Sequence, residues 1–232
     1  MTDNASPRRS FITSLGAAAI AAAGVGVAAA EAQSTTPRAA SAFKAARHTD
    51  DDWMDKLAGK HRMVIDAVTP HGAGEAILFA NNLYDANKAA YGVPNQDLAI
   101  IVVMRHFATP FAFTDTVWAK YGKPMGGMLE FKDPKTKEPP TTNLYNSAAY
   151  GMALPNLGNT IDAVLKRGTQ FAVCDVATKF VSGQLGAAGL GDAKAIYSDL
   201  TSNMYPGSRI VAAGVVAVSR AQERGYTLIY AG

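Results

Sequence analysis

Cys174 is the only cysteine in the 232-residue chain, so it has no partner for an internal disulfide. It stands in "FAVCDVATK" (171–179), where strand-forming residues give way to a helical pattern opened by an acid. A thiol at that junction lies near unsatisfied backbone N–H groups and the positive end of a helix dipole. Both favour a thiolate. A thiolate there can attack a sulfur donor, hold the sulfur as a persulfide and release it to a second thiol. Asp175 opposes this if its carboxylate turns toward the sulfur. A free cysteine is also often a small buried apolar residue. A reactive thiol and a packing thiol are therefore both open.

His106 ends the apolar run in "DLAIIVVMRHF" (97–107) and belongs at the same sheet edge as Cys174. It can share a proton with the thiol, hold an anion, or make a hydrogen bond in a subunit contact. Arg105 beside it suits a sulfur oxyanion or solvent. His71, Gly72 and Gly74 in "TPHGAGEA" mark a turn into a helix, where backbone N–H groups can face an anion. The third glycine of a dinucleotide fingerprint is missing, so a tight structural turn competes with a ligand role. The four histidines (48, 61, 71 and 106) have no metal-ligand spacing and no second cysteine to join them. Neither a metal nor a cofactor is expected.

The elements that must position these residues alternate. Strand patterns lie at 61–70, 97–107, "TQFAVC" (169–174), "SRIVAAG" (208–214) and "YTLIYAG" (226–232). Helical patterns fall between them, at 72–92, 159–168, from Asp175, from Asp192, and over "VVAVSRAQERG" (215–225). In the first, Ala76, Phe79, Ala80, Leu83, Asn87 and Ala90 form the expected buried stripe. The helix from Asp175 is expected to put Val176, Phe180 and Leu185 near one face. Strand and helix in alternation predict a parallel sheet with helices on both sides. In such a sheet ligands bind outside the carboxyl ends of the strands. The segment 121–151, rich in Pro and Gly, reads as an inserted loop, either a lid or a solvated insertion.

The N-terminus reads "SPRRSFITSLGAAAIAAAGVGVAAAEAQ". Arg8 and Arg9 form a twin-arginine pair before a short Ala/Gly-rich apolar run, and Ala30-Glu31-Ala32 offers a cleavage site. This predicts a Tat-type signal peptide over 1–32 and a periplasmic location. The run is too weakly apolar for a membrane anchor. A leading segment or tether follows at 33–59, then one domain at 60–232. The net charge is +3 with no basic block, so nucleic acid is not an expected partner.

From Gly168 to Gly232 the chain reads "GTQFAVCDVATKF…MYPGSRIVAAGVVAVSRAQERGYTLIYAG". Strand, cysteine, helix, Pro-Gly turn, strand ending in Gly, and the R-x-Q-x-x-G-Y close resemble the DsrE/DsrF-like family. "IIVVMRHFATPF" is similar to that family's second strand, which commonly ends in a His-containing turn. The resemblance spans roughly 60–232. It implies a flavodoxin-like, three-layer α/β domain with a parallel sheet, and a homo-oligomer. It also implies a choice of functions. Several members relay sulfur as a persulfide on a cysteine, exchanging it with a donor or acceptor protein, and others have no known activity. The chain departs from the family after the cysteine, where many relatives carry Gly-Asn-Thr and this sequence has Asp-Val-Ala. A sulfur carrier using Cys174, with His106 beside it, thus stands against a non-catalytic binding module with Cys174 buried.

Overall fold

A computed structural model describes residues 44–232. The segment expected to be a signal peptide (1–32), with Arg8 and Arg9, and residues 33–43 of the expected leading segment lie outside the described residues.

The described chain opens with a short helix α1 (Asp52–Lys56). Strand β1 (His61–Ala67) and helix α2 (Pro70–Tyr91) follow. Then come β2 (Leu98–Met104), a 3-10 segment at His106–Ala112, and α3 (Asp115–Met128). After a long irregular stretch, α4 (Ile161–Lys166) leads into β3 (Gln170–Cys174) and α5 (Asp175–Ala187). Helix α6 (Ala193–Ser202), β4 (Arg209–Val211), α7 (Gly214–Gln222) and β5 (Thr227–Ala231) complete it. The five strands form one sheet in the order β4-β3-β2-β1-β5, and every pairing is parallel.

The period-two alternation of strand side chains divides the core into two layers. Met63, Ile65, Ile100, Val102, Phe171 and Val173 face α2, α3 and α5. Val64, Ile101, Val103 and Ala172 face α1 and α7. The protein is thus an α/β, three-layer domain with helices on both faces of a parallel sheet. All seven residues of β2 are buried, as a strand covered on both faces must be.

Three expectations change. The buried face of α2 is Ala73, Ala76, Ile77, Ala80 and Tyr84, with Phe79 and Leu83 only partly covered. Tyr84 anchors this rotated stripe by accepting a hydrogen bond from the Thr169 hydroxyl at 3.2 Å. The supposed loop at 121–151 begins as helix, since α3 runs to Met128. Its remainder is fastened to the core: Tyr145 is fully buried against Phe111, and the Asn143 amide donates to the carbonyls of Phe111 and Phe113. Finally, the later part of the leading segment or tether packs against the domain. Trp53 and Met54 of α1 join the second core layer, and the Tyr226 hydroxyl donates to the Met54 carbonyl at 2.6 Å.

Candidate functional site

Register and parity assemble the site. The pairs Val103↔Ala172 and Met104↔Val173 place Arg105 and Cys174 one step further along the same rung. Both side chains then point to the α7 face of the sheet, as does Asp66 one strand away. The sheet stops here, and its carboxyl edge opens between the starts of α5 and α7. A cavity of about 380 Å³ lies there. Arg105, His106 and Cys174 line it together with Phe107, Val176, Phe180 and Val215.

Cys174 is both the last residue of β3 and the N-cap of α5. Its sulfur accepts the Ala177 backbone N–H at 3.4 Å, the place a Ser or Asp oxygen takes in an ordinary cap. Only 6% of the residue is exposed. Asp175 turns away: its carboxylate accepts from Lys179 Nζ and from the Tyr197 hydroxyl, each at 2.6 Å. Burial disfavours the charge on Asp175, but these two donors outweigh it and hold the carboxyl below its ordinary range. Both oxygens of the neighbouring acid are thus engaged by Lys179 and Tyr197.

Arg105 makes a bidentate pair with Asp66, Nε to Oδ1 at 2.6 Å and Nη2 to Oδ2 at 2.9 Å. Asp66 is buried in β1. The hydrogen bond to Asp66 is the main reason the guanidinium is held even more firmly charged, with Tyr230 and Cys174 also within electrostatic reach. Its stem crosses the first residue of α7. A Cβ on Gly214 would lie 2.3 Å from Arg105 Cβ, so only glycine fits there. His106 is exposed at the cavity mouth with φ of 52°, and its ring stacks on Phe107 at 4.2 Å. A left-handed backbone costs a β-carbon-bearing residue energy, and such strain gathers at functional positions.

Sequence reasoning brought Cys174, His106 and Arg105 to one edge, and the structure brings them to one cavity. His71, Gly72 and Gly74 lie apart from it at the start of α2. His71 is exposed and faces Glu75 at 3.5 Å. The space above both glycines is filled by protein: a Cβ on Gly72 would meet the Ala231 carbonyl oxygen at 2.3 Å, and one on Gly74 would meet Pro155 and Tyr145. The Gly72 N–H is already taken by the Thr69 hydroxyl at 2.9 Å. Of the two readings of this turn, the two glycines serve close packing, while His71 lines a separate surface cavity with Thr69 and Pro70.

Sequence reasoning missed Asp66, Gly214 and the apolar rim. Asp66 had a signal, because a lone acid inside the apolar "MVIDAV" needs a buried partner. The rim had none. Val176 and Phe180, expected near the same face as Leu185, are 61% and 49% exposed, while the buried face of α5 is Ala177, Thr178, Val181, Ser182 and Leu185. Among the described residues no three His, Cys, Asp or Glu side chains converge as metal ligands would. No helix among them is long and apolar enough to cross a membrane.

No protein-family model matches the chain. No curated protein is significantly similar to it.

Proposed function

We propose that this chain is a sulfur carrier of the DsrE/DsrF type, loaded as a persulfide on Cys174. The observation that carries the reading is the shared cavity of Cys174, His106 and Arg105 at the carboxyl edge of the sheet. The sulfur caps α5 and accepts the Ala177 backbone N–H, which fixes it at the cavity. His106 stands at the mouth, where it can take the thiol proton or return one to a leaving thiolate. The apolar walls shelter a persulfide from oxidants, which matters in an oxidising compartment. Mass spectrometry after incubation with a persulfide donor tests this. One added sulfur atom is expected on Cys174 and none in Cys174→Ser.

The second reading, a binding module with a structural thiol, draws on the low exposure of Cys174. The two part on alkylation of the folded protein near neutral pH, which the carrier undergoes and a sealed thiol resists.

Export and assembly belong to the same proposal. Arg8→Lys with Arg9→Lys is expected to stop delivery to the periplasm, read by cell fractionation. Self-association is supported by the exposed Leu228 and Tyr230 on the edge strand β5. Light scattering that gives a monomer mass at micromolar concentration would remove it.

A further inference from the structure

We infer that Asp66 sets the substrate class of the cavity: by neutralising Arg105, it restricts loading of Cys174 to persulfides whose organic group is uncharged and apolar. The inference rests on the carrier reading of Cys174 and adds to it what the donor must be.

Charge carries the first part. Arg105 is the one Lys or Arg lining the cavity, among the described residues. Both oxygens of Asp66 are engaged by its guanidinium. The pair is formally neutral, and Asp66 is 6% exposed, so its carboxylate is screened little by water. A second carboxylate or a sulfonate entering the cavity would shed its hydration. It would find a cation already compensated and a buried acid behind it. An anion in that position is costly.

The walls carry the second part. The lining is mainly apolar, and Phe107, Val176, Ala177, Phe180, Ala213 and Val215 are among its residues. The cavity of about 380 Å³ falls within the range of about 300–1,000 Å³ common for small-molecule sites. Its rim stays apolar where it meets water, with Val215 59% exposed. Apolar groups grouped in this way favour an apolar guest.

The chemistry needs no further reagent. The Cys174 thiolate attacks the outer sulfur of a donor R–S–SH. The new S–S bond forms as the donor's S–S bond breaks, and R–S⁻ leaves with the electron pair. The outer sulfur keeps its proton, giving Cys174–S–SH, and no net oxidation occurs.

The test compares benzyl persulfide with para-carboxybenzyl persulfide, two donors of similar size that differ by one negative charge. Inorganic polysulfide is the third probe. Loading of Cys174 is followed by intact-protein mass spectrometry at one fixed pH for all donors and variants. The full-length protein is expected to load from benzyl persulfide at least about tenfold faster than from the carboxylate. Asp66→Asn, which frees the guanidinium, is expected to narrow or reverse that ratio. Phe180→Ser, at a half-exposed position on α5, is expected to narrow it by slowing the benzyl donor. Equal rates from the two benzyl donors in the unmodified protein overturn the inference. So does loading from polysulfide with none from benzyl persulfide, and either result leaves the carrier reading intact. A ratio unmoved in both variants also overturns it. Loading from none of the three donors overturns the inference and the carrier reading together.

Discussion

His106 holds a left-handed backbone in a position where glycine would be free of strain. His106→Gly is therefore expected to be more stable than His106→Ala by about 1 kcal/mol, read from urea denaturation, because both lose the Phe107 stack and only Ala keeps the strain. Both should load Cys174 more slowly than the unmodified protein. Asp175 gives a pH signature. Its folded-state value lies below the ordinary 3.8, so the stability it adds is complete above that pH and lost as pH falls below it. Asp175→Asn should thus cost stability at neutral pH, and the deficit should vanish in acid, as melts across pH would record. At this scale the sequence was legible where a residue's type constrained its surroundings. A lone cysteine before an acidic first turn placed itself at a strand-to-helix junction. Arg105 was harder, because its partner lies 39 positions away, and nothing local in "VVMRHF" marks Asp66 as the group that occupies it.

The glycines of the helices divide by what lies opposite. Gly72→Ala is expected to cost about 2–3 kcal/mol, since the new methyl would press on the Ala231 backbone, which cannot swing aside. Gly127→Ala, inside α3 with nothing within 4 Å, is expected to gain about 0.5–1 kcal/mol by restricting the unfolded chain. Thermal melts of the two variants should move in opposite directions. Element type and order could be read from the sequence because each strand is a compact apolar run and each helix begins or ends on a cap. Thr160 accepts from the Ala163 N–H, and Gly92 closes α2 in a left-handed turn. Faces were less legible. Helical periodicity in α2 admitted neighbouring stripes, and the choice fell to Tyr84, whose partner Thr169 lies on the far side of the chain. The stretch after Tyr121 misled for another reason. Pro124 and three glycines (122, 126 and 127) argue locally against a helix, yet Trp118, Tyr121 and Met125 are buried along one side of it, and that burial prevails.

Across the whole molecule, the second core layer depends on residues ahead of the sheet. Arg224, with its side chain fully buried, donates to Asp55 and to the His48 carbonyl, while Trp53 lies under the Arg209 guanidinium at 5.0 Å. A chain beginning at Ala58 is expected to melt about 10 °C or more below one beginning at Ala45, because it loses two large buried side chains and leaves Arg224 unpaired. Composition could not announce this, since the segment before Asp52 is polar and holds no apolar period. The strand order has a consequence for synthesis. β1 lies between β2 and β5, yet nearly the whole described chain separates it from β5. On a ribosome the chain emerges from its N-terminus, so β1 can find β2 early but must keep its other edge bare until β5 appears. A bare parallel edge invites foreign strands. A nascent chain stalled just short of Thr227 is expected to be held by chaperones or to aggregate, and one stalled after β5 has cleared the exit tunnel should be released from both.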